Sequence, residues 1–117
     1  MHNFKELKVW QAGMEVCKTI FELTRQFPGE ERFGLISQMT RSAISIPSNI
    51  AEGCGRKSNK EFYQFLNIAL GSSFELETQV IIARDFRYIS AEKADIVCGS
   101  IVEIQKMIGG LQKSLNI

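Results

Sequence analysis

Few residues in this 117-residue chain are of types that do chemistry, and their spacing decides what each permits. Glu75 and Glu77 form a close carboxylate pair, but positions two apart on a helix diverge, which is wrong for shared acid–base work. Ser90-Ala91-Glu92-Lys93 spells the S-x-x-K of serine acylases without the Ser-Asp-Asn and Lys-Thr-Gly elements that complete such a site. A helix N-cap accounts for Ser90 better. Gly53-Cys54-Gly55-Arg56-Lys57-Ser58 has the character of a phosphate loop. It lacks the first Gly at the proper spacing, places Arg between Gly and Lys, and follows a helix instead of a strand. Cys17, Cys54 and Cys98 are odd in number and form no CxxC pair, so neither a disulfide framework nor a zinc site is indicated. The single histidine, His2, leaves no partner for a Ser–His or Cys–His nucleophile and no Glu-x-x-His ligands for a di-metal bundle. The residue set argues against an enzyme and implies no cofactor or metal.

A different kind of site is written into the stretch from Leu35 to Gly53. Gln38, Arg41, Ser42, Ser45, Asn49 and Glu52 recur in steps of three and four beside an apolar series at Ile36, Met39, Ala43, Ile46 and Ile50. Solvated helix faces usually carry Lys and Glu, whereas this one carries mostly amides and hydroxyls. Two readings fit: a half-buried hydrogen-bonding face, or an ordinary polar surface. Just downstream, Arg56, Lys57 and Lys60 cluster at the start of the next helix. Cations beside free backbone donors suit an anion such as RNA phosphate, and the alternative is a solvated basic turn.

The elements that must position these residues are all helical, since no alternating strand pattern occurs. Four segments are expected, at about residues 5–26, 32–53, 59–87 and 91–115 of a single domain. The first carries two heptad-spaced stripes, Leu7-Trp10-Met14-Cys17-Phe21-Thr24 and Val9-Gly13-Val16-Ile20-Leu23-Phe27. Gly13 inside the second stripe suggests close helix approach. Pro28-Gly29 marks a turn, and Glu30 and Glu31 precede the second helix, where its dipole favours negative charge. Pro47 should bend that helix, and Gly53 should end it. Ser58 with Glu61 fits a capping box. The third helix has two stripes as well, one including Phe62, Leu66, Ala69, Leu76 and Val80, the other Tyr63, Leu70, Phe74, Ile81 and Tyr88. The small run around Ala69, Gly71, Ser72 and Ser73 would admit another backbone closely. The fourth helix opens at Ser90 and carries Ala94, Val97, Ile101, Ile104, Ile108, Leu111 and Leu115, with Gly109-Gly110 weakening its last turns. Short connections make this an all-α, antiparallel up-down-up-down four-helix bundle.

The doubled stripes exceed what one bundle needs. Either the wide faces merely flank the core, or the chain self-associates through helices 1 and 3, with Tyr63, Leu70, Phe74 and Ile81 as candidate interface. A net charge of +1 gives no support for bulk attraction to nucleic acid. The N-terminus lacks a signal-peptide run, and no stretch reaches the roughly 18 apolar residues that span a bilayer. A cytoplasmic location with no membrane contact is expected.

With these residues laid out, the chain resembles the four-helix-bundle proteins encoded by intervening sequences of bacterial 23S rRNA genes. The resemblance covers nearly the whole chain. It rests on Phe4 with Leu7, Val9 and Trp10; on Phe27-Pro28 followed by Glu31; and on Phe33-Gly34-Leu35 and Gln38. It continues through Arg41, the highly specific run Ser45-Ile46-Pro47-Ser48-Asn49-Ile50-Ala51-Glu52-Gly53, Phe65 to Ala69, and Gly71-Ser72 followed by Glu75-Leu76-Glu77. Ser42 stands where that family often has Ala, and Ser73-Phe74 where Leu and a small residue are commoner. The resemblance implies a left-handed antiparallel bundle that assembles as a homopentamer. It also implies kinship with the accessory variability determinant of diversity-generating retroelements, which binds a reverse transcriptase and nucleic acid through basic surfaces. On that basis Arg41, Arg56, Lys57 and Lys60 are candidate nucleic-acid contacts.

Overall fold

A computed structural model describes residues 3–117, so His2 lies outside the described residues. Four α-helices carry the structure: α1 (Lys8–Thr24), α2 (Leu35–Cys54), α3 (Asn59–Asp85) and α4 (Ala91–Ser114), with 3-10 turns at Phe4–Glu6 and Gly29–Glu31. No strand occurs among the described residues. α1 packs against α2 and α4, and α3 packs against the same two helices, which closes a four-helix bundle 43 × 24 × 20 Å across. Contacts between α2 and α3 advance on one helix as they retreat on the other, from Gly53 beside Phe65 to Ser45 beside Ser72, so the two run antiparallel. The same holds for α3 and α4, where Glu77 meets Gln105 and Asn67 meets Gln112.

Helix ends follow local chemistry. Ser58 Oγ accepts from the Glu61 N–H at 3.2 Å, and Ser90 Oγ accepts from the Lys93 N–H at 3.1 Å, so both expected caps form. α1 begins at Lys8 because Leu7 is extended. It stops at Thr24, four residues before Pro28, which has no N–H to give the Thr24 carbonyl and disfavours helical dihedrals at the residue before it. α2 starts three residues later than its pattern suggests. Gly29–Glu31 forms its own turn, and Glu31 Oε1 accepts from the Leu35 N–H at 3.2 Å, placing a carboxylate at the positive end of the helix. α3 ends at Asp85, two residues early, where Arg87 takes a left-handed conformation (φ 63°) and the Tyr88 N–H reaches back to the Ala83 carbonyl.

One expectation about α2 needs correction. The helix runs unbroken through Pro47, whose buried ring faces Gly13 of α1. Gly53 does not end α2, which continues to Cys54. A Cβ at Gly53 would lie 2.7 Å from Phe65 Cβ and 2.9 Å from Phe62 Cδ1, so this glycine exists for the crossing of α3. Gly109-Gly110 likewise lie inside α4, which runs on to Ser114.

The core is aliphatic. Ile20, Met39, Ile46, Ile50, Leu66, Leu76, Ile101, Ile104 and Ile108 are its largest fully enclosed apolar side chains. On α1 the stripe through Val9, Gly13, Val16 and Ile20 is the buried one. Trp10, Met14 and Cys17 flank it half-buried, and Phe21 is exposed. Ala69, Ser72 and Ser73 are buried in mid-α3, whereas Gly71 faces outward with nothing near it. No helix among the described residues is long and apolar enough to cross a membrane.

Candidate functional site

The polar series of α2 splits into two environments. Its first half meets α3 in a groove of about 370 Å³, lined by Gln38, Arg41, Ser42 and Ser45 from α2 and by Ser72, Glu75 and Gln79 from α3. The register follows from one hydrogen bond, Ser45 Oγ to Ser72 Oγ at 2.7 Å. Counting outward from it places Ser42 opposite Glu75 and Gln38 opposite Gln79. Asn49 sits one turn below and donates to the Ser45 carbonyl at 2.8 Å and to Ser45 Oγ at 2.9 Å, which fixes that hydroxyl. The half-buried hydrogen-bonding face is thus the reading that fits Ser45 and Asn49, while Ser42 is buried beside them without a side-chain hydrogen bond among the described residues.

Two features of the groove stand out chemically. Among the described residues neither Arg41 nor Glu75 has an ion-pair or hydrogen-bond partner for its side chain, although they line the same groove with opposite charge. At its far end Gln79 is 9% exposed, and its Oε1 is buried without a hydrogen-bond partner. A buried, unmatched carbonyl oxygen is costly, and most proteins avoid it.

Glu52 belongs elsewhere. It ion-pairs with Arg56, and the Arg56 guanidinium lies 4.8 Å from the Phe65 ring centroid. Arg56 is therefore held down over α3, while Lys57 and Lys60 are exposed without ion-pair partners among the described residues. Arg41 lies more than three helical turns upstream, roughly 20 Å along α2 at about 1.5 Å per residue. The four candidate nucleic-acid contacts do not form one patch.

The candidate interface residues also divide. Tyr63, Leu70 and Ile81 are half-buried, and Leu70 packs against the core. Tyr88, expected as surplus apolar surface, is instead engaged: its hydroxyl donates to Glu31 Oε2 at 2.8 Å, and its ring meets Phe27 at 5.4 Å and Phe86 at 5.9 Å. The hydrogen bond to the Glu31 carboxylate, with desolvation second, raises the phenol above its ordinary pKa. Phe74 is 51% exposed, and elsewhere on the outer side of α3 Ile68 and Ile82 are 51% and 39% exposed.

Sequence reasoning missed Ser72, Glu75 and Gln79, the α3 half of the groove. Their three- and four-residue spacing matches that of Gln38, Arg41, Ser42 and Ser45, and this shared step was the available signal. Glu75 and Glu77 diverge as expected: Glu75 lines the groove, and Glu77 accepts from Gln105 Nε2 at 2.8 Å on the side facing α4. Among the described residues no three His, Cys, Asp or Glu side chains are placed to hold a metal ion. No disulfide joins the cysteines, and burial pushes the Cys17 and Cys98 thiols up, Glu77 adding to the effect at Cys98.

A family model described as 23S rRNA-intervening sequence protein matches residues 5–110. A solved structure similar to this one comes from Bacteroides thetaiotaomicron, a protein of unknown function from the S23 ribosomal protein family. The two share 28% identity over 90% of this chain and 98% of that one, with a TM-score of 0.83. No curated protein matches the chain.

Proposed function

The chain belongs to the 23S rRNA-intervening sequence protein family, and we propose that it works without catalysis, as a scaffold whose copies assemble through the outer face of α3. The observation that carries this reading is that Ile68, Phe74 and Ile82, three large apolar side chains spread over about 120° of the outer side of α3, are left 51%, 51% and 39% exposed. Covering one such side chain contributes about 1.5–3 kcal/mol when burial is complete, so removing the exposed remainder of these side chains from water favours association. The family resemblance points to a ring of five as the closed form. Support for a non-catalytic role comes from the site chemistry. The Cys17 and Cys98 thiols are held toward their protonated, unreactive form, and Glu77 is occupied by Gln105.

Sedimentation and light scattering test the proposal. The wild-type chain is expected to run as an oligomer of fixed size, and Phe74→Glu is expected to shift it toward monomer with its helical circular dichroism intact. A monomer mass for the wild type at every concentration would remove the reading.

A second reading, contact with RNA phosphate, rests on Lys57 and Lys60, the cations beside the start of α3 that no carboxylate among the described residues holds. Binding to a single-stranded RNA should weaken steeply with salt and fall on Lys57→Glu with Lys60→Glu. Retention at low salt of the same mobility with and without protein would discard it.

A further inference from the structure

The groove between α2 and α3 has features that neither assembly through α3 nor RNA contact employs. Its walls carry a cation, Arg41, and an anion, Glu75, unpaired among the described residues. At the end away from Ser45 stands Gln79, whose Oε1 is buried and has no hydrogen-bond partner among the described residues. Its floor holds the Ser72 hydroxyl. Asn49 donates to Ser45 Oγ, and in the arrangement where Ser45 in turn donates to Ser72, the Ser72 proton is left to point outward.

We infer that this groove is a binding site for a small zwitterion carrying a carboxylate and a protonated nitrogen, of the α-amino acid class. The chemistry is complementary group by group. Arg41 presents a planar fork that takes a carboxylate through two parallel hydrogen bonds. Glu75 accepts from the ammonium, and Gln79, by a turn of its side-chain amide, presents Oε1 to another of its protons, which satisfies a buried side-chain oxygen without a partner among the described residues. The Ser72 hydroxyl is a further donor for the carboxylate. A ligand of one charge satisfies only one wall and leaves the other charge without a partner. The volume of about 370 Å³ admits a molecule of amino-acid size. Glu75 lies seven residues from both Ile68 and Ile82 on α3, so the groove borders the face proposed for assembly, and the oligomer mass read below separates the two.

The test titrates the full chain with L-alanine as the minimal zwitterion, and with acetate and methylammonium as probes of one charge each. The reporters are the NMR signals of the Gln79 side-chain amide and the Arg41 Nε–H. Alanine should move both signals with a dissociation constant of about 1 mM or tighter, and the single-charge probes should bind about tenfold more weakly or worse. Arg41→Gln and Glu75→Gln should each weaken alanine by about tenfold or more. Gln79→Leu should lose binding yet melt no lower than wild type, because it removes an unsatisfied buried oxygen. That split separates a ligand-facing amide from a structural one. No movement of either signal at about 50 mM alanine, or equal binding of the single-charge probes, would overturn the inference. So would a change of oligomer mass in Arg41→Gln or Glu75→Gln, which would show that a second copy covers the groove.

Discussion

Gly53→Ala is the substitution whose outcome the structure fixes most tightly. The added Cβ would lie 2.7 Å from Phe65 Cβ, 2.9 Å from Phe62 Cδ1 and 3.4 Å from the Phe62 carbonyl oxygen. Phe65 Cβ is bonded to the α3 backbone and has no rotamer by which to retreat, so α2 and α3 must separate locally by about 1 Å to restore ordinary contact. Overpacking of this kind costs about 1–3 kcal/mol. Replacing Gly by Ala inside a helix returns up to about 1 kcal/mol. The net expectation is a loss of about 1–2 kcal/mol, or a melting point lower by about 4–8 °C for a domain of this size. Gly13→Ala is the matched control. Its Cβ would meet Ile46 Cγ2 at 3.4 Å and the Pro47 ring at 3.5 Å, which is ordinary contact, so the helix gain should dominate and stability should hold or rise. Denaturant unfolding followed by circular dichroism, at one protein concentration because association adds to apparent stability, measures both. Truncating Phe65 to Ala in the Gly53→Ala background leaves Phe65 Cβ in place, so it should not rescue. Gly53→Ala as stable as wild type, or full rescue by Phe65→Ala, would refute a backbone-level crossing at this point.

Ser90→Ala removes the acceptor for the Lys93 N–H and should destabilise by about 1 kcal/mol, read from the same unfolding curves; no change would mean that water replaces the cap fully. Tyr88 is protonated more tightly in the folded than in the unfolded chain, because its hydroxyl donates to Glu31. Its contribution is therefore fully present below the ordinary tyrosine pKa of about 10 and is lost as pH rises through the higher folded value. Tyrosinate absorbance should show a late-titrating step that Tyr88→Phe deletes, and a titration curve that is unchanged by the substitution would contradict the hydrogen bond.

What could be read from the chain was whatever depends on neighbours a few positions away. The Ser58 and Ser90 caps, the heptad series of α4 and the α2 polar step are all local, and the structure contains each of them. Gly53 was misread because a glycine near a helix end has two physical explanations, a terminus or a close crossing, and the deciding atoms belong to Phe62 and Phe65 on the next helix. The two α1 stripes have the same spacing, so periodicity alone could not tell that Val9, Val16 and Ile20 are enclosed while Phe21 is not. Tyr88 failed as surplus surface because Glu31, far away in sequence, accepts its proton.

The same long-range dependence explains why half of the groove was hidden. Absence of a side chain at Gly53 lets α2 and α3 cross at one end, and the small hydroxyls of Ser45 and Ser72 let them touch at 2.7 Å further along. Beyond that point Arg41, Gln38, Glu75 and Gln79 are larger, and the two helices can no longer close over them. Their side chains line an open groove instead, and Gln79 is left with a buried oxygen that no described residue reaches. Glycine, serine and then long polar residues along one helix pair therefore form a graded seam, tight at Gly53 and open at Gln38. The seam predicts its own weak point: Ser72→Leu should push the helices apart at the tight end of the groove. That would break the Ser45–Ser72 bond and cost about 1–3 kcal/mol by overpacking, read from denaturant unfolding, while Asn49 keeps both of its acceptors on α2. Wild-type stability in that variant would mean that the seam does not set the groove.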